Sequence, residues 1–305
     1  RTSQGDPFIG GAADGWKTHN EEGSYILFEG CRAWNCSDDG FDPSGEVYVE
    51  IKNCWSFENG MLDGDGNGYK TGAVYDSQPM LRKITNSIAA NNRAVGFMLL
   101  EYPDYLRTNA RFYNNFSYNN QYGFSISNNA SYPNPLVVFK NNVAYKTGIP
   151  VSQAYMFYQE SNNTWNWVDG YPGYEDAFTL TDSDFLSLDV SELKRERKED
   201  GSLPDVSFGK LTAGSKLIDA GTDVGLPYYG TAPDIGYSEF ITGSVTPPVP
   251  VYQGSVIENA TPGRLDMTYS LTLTNIIPPA SAFAVKVNSV ARSVSSVSVS
   301  GTKVF

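Results

Sequence analysis

Asp14-Gly15-Trp16-Lys17, Asp39-Gly40-Phe41-Asp42, Asn67-Gly68-Tyr69-Lys70, Val95-Gly96-Phe97-Met98 and Tyr122-Gly123-Phe124-Ser125 are five copies of one phrase, a glycine followed by an aromatic residue. The glycines stand 25, 28, 28 and 27 residues apart. A second phrase keeps the same period: Cys31-Arg32-Ala33-Trp34, Cys54-Trp55-Ser56-Phe57, Ser87-Ile88-Ala89-Ala90, Asn115-Phe116-Ser117-Tyr118 and Asn142-Val143-Ala144-Tyr145. Its third residue is always Ala or Ser, and Asn53, Asn86, Asn114 and Asn141 stand immediately before its last four copies.

Self-similarity at such a period means stacked copies of one supersecondary unit. These units alternate like strands and are too short for two helices each. The chain therefore reads as all-β, a right-handed parallel β-helix in which each turn hydrogen-bonds to the next at roughly 4.8 Å. Equivalent residues then stack in columns. The Asn column is expected to form an amide ladder at a tight bend. The Gly column marks a corner that needs either positive φ or close approach of two backbones.

Composition fits this reading. The chain has 305 residues, 40% hydrophobic and 18% charged, enough for one large domain and a small one. A net charge of −12 argues against nucleic acid and anionic membrane surfaces, and makes an acidic substrate awkward unless a cation mediates. No run of about 18 apolar residues is present to span a membrane. Three cysteines are too few for a disulfide framework. Cys31 and Cys54 share a column within bridging range, but two free thiols stacked in the core is the simpler reading.

Outward from the repeats, residues 1–13 read as an entering loop and the turns run from Asp14 to about Gly148. Residues 151–174, with Trp165 and Trp167, read as late turns with protruding loops. The two tryptophans are either a sugar-stacking platform or buried beneath loops. Leu193-Lys194-Arg195-Glu196-Arg197-Lys198-Glu199-Asp200 is a charged run expected to be solvated. The expected organisation is a β-helix domain over 1–242, a Pro-stiffened linker over 243–250, and a partial immunoglobulin-like β domain without chemistry over 251–305. The first repeat is under way by Asp14 without an export signal before it, and about 55 residues is short for such a sandwich. Continuations at both ends are therefore expected.

The chemistry-bearing residues gather at the first three corners. Asp14 and Lys17 come from the first, Asp38, Asp39 and Asp42 from the second, and Lys70 from the third. Bare carboxylates stacked on adjacent turns would repel. A cluster of hard oxygen donors is what Ca²⁺ takes. Single Asp-Gly pairs often only cap turns, but four carboxylates converging from two turns favour a metal site of Asp14, Asp38, Asp39 and Asp42. Asp63-Gly64-Asp65-Gly66-Asn67-Gly68 matches the opening of an EF-hand loop. Its twelfth position is Val74 and no helices flank it, so it reads as a Gly-rich insert in the third turn. His19 is the sole histidine, and no nucleophile elbow accompanies it.

These residues also carry a resemblance. Ala13-Asp14-Gly15, Gly30-Cys31-Arg32-Ala33-Trp34-Asn35, Ser37-Asp38-Asp39-Gly40-Phe41-Asp42 and Gly66-Asn67-Gly68-Tyr69-Lys70 are similar to polysaccharide lyase family nine. So are Ser161-Asn162-Asn163-Thr164-Trp165-Asn166 and Ser215-Lys216-Leu217-Ile218-Asp219-Ala220-Gly221, so the likeness covers most of 1–240. That family holds pectate lyases and rhamnogalacturonan lyases on a right-handed parallel β-helix. The resemblance implies that Asp14, Asp38, Asp39 and Asp42 are calcium ligands and that Lys70 is the catalytic base. Met98 departs from the family's pattern, which tends to place Asp there.

The implied reaction is calcium-dependent β-elimination on the galacturonate-containing pectin backbone. The C5 proton of galacturonate lies alpha to a carboxylate, so a neutral amine can remove it once that carboxylate's charge is neutralised. Lys70 would need its pKa lowered from the ordinary value of roughly 10.4; nearby Lys17 and a filled calcium site would lower it, and empty carboxylates would raise it. The alternatives are a rhamnogalacturonan lyase, a β-helix glycoside hydrolase using Asp38 and Asp39, and a non-catalytic carbohydrate-binding β-helix. The expected partner is an acidic polysaccharide, the expected state a monomer, and the expected location secreted or cell-surface in a bacterium.

Overall fold

The computed structural model describes residues 9–18, 23–45, 48–72, 80–100, 108–127, 137–153, 158–168, 173–241, 250–271, 273 and 277–305. His19, Val74 and most of the proline-bearing stretch, 243–249, lie outside them. The chain divides into two compact units, Arg1–Phe240 and Ile241–Phe305.

The first unit is a coil of three parallel sheets. Sheet A stacks Trp16–Thr18, Phe41–Pro43, Tyr69–Gly72, Val95–Leu100, Tyr122–Ser127 and Ile149–Gln153 in that order. Sheet B stacks Tyr25–Glu29, Tyr48–Lys52, Met80–Thr85, Thr108–Tyr113, Val137–Lys140 and Tyr158–Ser161. Sheet C stacks the short strands Arg32–Trp34, Trp55–Phe57, Ile88–Ala90, Phe116–Tyr118 and Val143–Tyr145. Sheets A and B take one strand from each of six turns and sheet C one from each of the first five, which is a parallel β-helix, right-handed like nearly all parallel crossovers.

The Gly-aromatic phrases open the sheet A strands and fall in register: Trp16 beside Phe41, Phe41 beside Tyr69, Tyr69 beside Phe97 and Phe97 beside Phe124. Their rings stack at centroid distances of 6.2, 4.9, 4.8 and 4.9 Å. Phe41, Tyr69, Phe97 and Phe124 are fully buried. Each such burial stabilises by roughly 1.5–3 kcal/mol. The corner glycines owe their place to close approach, since none of the five has positive φ. A Cβ on Gly68 would sit 2.6 Å from the Gly96 carbonyl oxygen, and one on Gly15 would sit 2.7 Å from the Ala33 Cβ. The small third residues Ala33, Ser56, Ala89, Ser117 and Ala144 form one column of sheet C for the same reason.

Asn53, Asn86, Asn114 and Asn141 do form a column of left-handed residues, with φ of 51, 50, 53 and 57°. Asn tolerates that region better than most side chains. Asn141 Nδ2 donates to Asn114 Oδ1 at 3.1 Å, as expected of that column, but the longer amide ladder runs one residue later. Asn115 Nδ2 donates to Asn142 Oδ1 at 3.0 Å, and Asn142 Nδ2 to Asn163 Oδ1 at 2.9 Å. The left-handed residue makes the bend, and the next one turns its side chain inward, as the full burial of Cys54, Ser87, Asn115 and Asn142 shows. Cys31 and Cys54 are free thiols, with the Cys31 N–H donating to Cys54 Sγ at 3.3 Å.

The coil continues past Gly148, through Ile149–Gln153 and Tyr158–Ser161. There Val151 takes the aromatic's register position beside Phe124, so the repeat loses its signature while the backbone keeps its path. Trp165 is buried against Phe124 at 4.9 Å, so it caps the core and is not a sugar platform. Residues 178–240 pack a second core, with Phe185, Leu193, Phe208, Leu217 and Ile235 among it, against the outer side of sheet C. The charged run starts docked, because Arg32 donates to the carbonyls of Leu193 and Arg195, and is exposed from Lys194 onward.

The second unit is antiparallel, as a β-sandwich requires. Tyr252–Val256, Asp266–Tyr269, Lys303–Val304 and Val299–Ser300 form one sheet, and Val285–Val287 pairs with Val290–Arg292. Among the described residues there is no α-helix, and no helix is long and apolar enough to cross a membrane.

Candidate active site

The site lies where sheet C turns into sheet A, on the first three of these turns. The column just before the corner glycines holds Asp14, Asp39 and Asn67. Each side chain caps the next turn: Asp14 Oδ1 accepts from the Asp39 N–H at 3.1 Å, Asp39 Oδ1 from the Asn67 N–H at 2.8 Å, and Asn67 Oδ1 from the Val95 N–H at 3.2 Å. The Asx-capping expectation is therefore met by one oxygen of Asp14 and one of Asp39, which leaves the other oxygen of each to the charged cluster.

Those second oxygens converge. Oxygens of Asp14, Asp39 and Asp42 lie within 4.8 Å of one another, and so do those of Asp38, Asp39 and Asp65. The four aspartates expected as a single ligand set thus form two overlapping groups that share Asp39. Asp65 joins the second group, a residue that sequence reasoning left in the Gly-rich insert. The repeated Asp-Gly steps of that insert were its only signal.

Two lysines close the cluster. Lys17 Nζ lies 2.9 Å from Asp14 Oδ2 and 2.7 Å from Asp42 Oδ2. Lys70 Nζ lies 3.2 Å from Asp39 Oδ2 and 2.7 Å from Asp65 Oδ2. Lys70 is thus paired with Asp39 and Asp65, where a surface pair with Asp42 was the plain alternative. Its side chain is only 17% exposed, against 48% for Lys17.

The electrostatics follow from burial. Burial pushes the Asp39 carboxyl up to about 7, against the pull of Lys70 and the Asn67 amide. It also raises Asp38, against the hydrogen bond from the Asp65 N–H. Burial pulls the Lys70 ammonium down, but the charge of Asp39 and the hydrogen bond and charge of Asp65 outweigh it and hold Lys70 above the ordinary lysine range.

The residues fit a hard cation. Every donor in the cluster is a carboxylate oxygen, the ligand type of calcium. Asp39 Oδ2 is buried and makes no hydrogen bond, although it lies at ion-pair distance from Lys70. A buried carboxylate oxygen left this way costs free energy unless something positive satisfies it.

Comparison with known proteins bears on the fold and the family. Residues 2–142 match the family described as Pel9A-like, right handed beta helix region, and residues 162–245 match one described as rhamnogalacturonan lyase-like, C-terminal. Pectate lyase L of Dickeya dadantii (strain 3937) is 35% identical over 252 residues, which are 75% of this chain and 52% of that protein. The crystal structure of pectate lyase Pel9A superposes with a TM-score of 0.58 at 32% identity, over 75% of this chain and 55% of that one. A structure titled rhamnogalacturonan lyase gives 0.53 at 31% identity, over 66% and 52%. The chain spans about half the length of the relatives it matches. The two family matches, the pectate lyase relatives and the Pel9A superposition together support the right-handed parallel β-helix of polysaccharide lyase family nine as the fold of residues 2–245.

Proposed function

We propose that the chain cleaves a galacturonate-containing pectin backbone by calcium-assisted β-elimination, with Lys70 as the base. The observation that carries this is a half-buried lysine held 3.2 Å from a fully buried aspartate whose outer oxygen has no hydrogen bond. Asp14, Asp38, Asp39 and Asp42 would hold the cation. Calcium, when bound, supplies Lewis-acid neutralisation of the substrate carboxylate and offsets the aspartates' charge.

The protein's own residues do the rest. Asp39, fixed through its Oδ1 by both Asn67 nitrogens, orients Lys70 from below. Sheet A fixes the Lys70 backbone in the strand, so its amine projects from the turn next to Asp42. With the carboxylates offset, Lys70 loses the charges that now keep it protonated and can take the proton from C5. The C5–H electron pair then forms the C4=C5 double bond as the C4–O bond breaks, and the departing oxygen takes a proton from solvent. The acidic surface of the chain and the acidic polymer are then bridged, not opposed. A polymer of this kind is met outside the cell, which fits a secreted or cell-surface location.

The second reading is the alternating rhamnose–galacturonate backbone. It is favoured by the rhamnogalacturonan lyase-like match over 162–245. Both readings are tested by digesting polygalacturonate and rhamnogalacturonan with and without a chelator while following unsaturated product by ultraviolet absorbance. Unsaturated product from either polymer, abolished by chelation, is expected. Saturated product, or turnover indifferent to the chelator, would overturn the proposal.

A further inference from the structure

The insert at the third corner is clamped from both sides. The N–H groups of Gly60 and Met61 donate to the Cys36 carbonyl at 2.9 and 3.2 Å, and the Asp63 N–H donates to the Ile9 carbonyl at 3.1 Å. Gly64 lies so close over the second corner that a Cβ there would come within 2.4 Å of the Asp38 Cα. Gly60 and Gly66, both left-handed, lie beneath Arg93 of the fourth turn, which donates to the Leu62 carbonyl. The backbone is therefore held on both neighbouring turns.

What this held backbone presents to the site is the Asp65 carboxylate. Its side chain is 64% exposed, while that of Asp39 is fully buried. Its Oδ2 lies 2.7 Å from Lys70 Nζ, and its backbone N–H donates to Asp38 Oδ1 at 2.5 Å. An oxygen of the same carboxylate lies within 4.8 Å of ligand atoms of Asp38 and Asp39. Asp65 thus belongs at once to the lysine's ion pairs and to a group of three oxygen donors.

It cannot serve both fully, because a cation drawn in by the carboxylates repels the ammonium. The two aspartates that face Lys70 differ in freedom. Asp39 is pinned by the Asn67 backbone and side chain. Asp65 is open, and Lys70 is the partner of its carboxylate among the described residues. The group able to change partner is therefore Asp65.

We propose that Asp65 is a two-position residue that couples cation binding to release of the base. Without calcium it holds Lys70 in an ion pair. With calcium it turns to the cation beside Asp38 and Asp39, and Lys70 is left facing the substrate. Asp65 is a positioning residue in this account. The inference rests on the calcium-assisted elimination proposed above.

Calorimetric calcium titrations of the substrate-free protein test it. They would compare the parent, Asp65→Asn, Lys70→Met and the double variant, each first shown to unfold at the parent's temperature. Asp65→Asn is expected to weaken calcium on the order of tenfold, the range typical for groups that support a metal site. Lys70→Met is expected to tighten calcium by removing the competitor. Some tightening follows from charge alone, through Asp39. The competition itself shows as a larger gain with Asp65 present than in the Asp65→Asn background, which a double-mutant cycle isolates. Equal gains in both backgrounds, or parent affinity in Asp65→Asn, would overturn the inference and leave the lyase reading intact. Absence of calcium binding by the parent would overturn both. Asp65→Ala, which also removes the carboxylate, should repeat the Asp65→Asn result.

Discussion

Sheet A contains two halves with one backbone and two chemistries. In the first three strands the column before the glycine reads Asp14, Asp39, Asn67, and the outward column reads Lys17, Asp42, Lys70. In the last three the same columns read Val95, Tyr122, Ile149 and Met98, Ser125, Ser152. Strand pairing continues unchanged across the boundary, with Lys70 in register with Met98, and the ring stack spans it at 4.8 Å. The charges that distinguish the first half sit on side chains that face outward or cap the next turn, while the inward positions stay uncharged, with Thr71 beside Leu99. The repeat is enforced by inward positions, and the candidate site occupies positions that the repeat leaves free.

The sharpest way to break this division is to compare Lys70→Ala with Met98→Ala in the lyase assay. Loss of a general base costs typically 10²–10⁴-fold, so turnover of Lys70→Ala should fall by about 10³-fold. Met98→Ala, one turn along the same column, should stay near the parent rate. Comparable losses at both would mean that the site extends into the second half.

A core change should ignore the boundary. Phe97→Ala is expected to lower unfolding free energy by about 3–5 kcal/mol in denaturant melts, and Phe41→Ala by a similar amount. Both rings are fully buried in the same stack, one in each half. A large cost at one and almost none at the other would show that the halves are not mechanically equivalent.

The smallest expected effect is one of pH, and it belongs to the first half alone. Burial pushes the Asp39 carboxyl up to about 7, and the proposed calcium would take its ionised form, so affinity should fall toward tenfold per pH unit below roughly pH 7. Without calcium the sign reverses. A carboxyl raised above its unfolded value contributes stability at low pH, and this is lost as pH rises through about 7. Thermal melts in chelator should therefore show a decline across that window, absent in Asp39→Asn. Calcium affinity flat between pH 8 and 6 would remove Asp39 from the ligand set.

The fold was legible because its constraints repeat. Gly68 and Gly96 are glycine for the same close contact, and Ala33 and Ser117 are small for the reciprocal one. Where the pattern is substituted, at Val151, the coil continues into the late turns expected of 151–174, since an apolar side chain fills that place in the stack. The site was legible for the opposite reason. Asp14, Asp39 and Lys70 stood out as charges where later copies carry none. Asp65 stayed hidden because its segment interrupts the period, and an insert has no equivalent copy against which to look unusual. The expected Asn column holds one amide bond, Asn141 to Asn114, and the longer ladder lies one residue later, because sequence shows neighbouring Asn residues, not which of them takes the left-handed bend.

The stacking of one strand per turn has a consequence for how the protein fails. A solenoid behaves as a one-dimensional lattice in which each repeat is held only by its neighbours. The candidate site draws Lys17, Asp42 and Lys70 from three adjacent lattice points, so it exists only while that run is intact. Local opening, which in any protein spans a range of free energies, could therefore erase the active constellation while the Phe97 and Phe124 turns remain wound. Loss of activity on heating would then report the fraying of a few turns, well before loss of the bulk β signal.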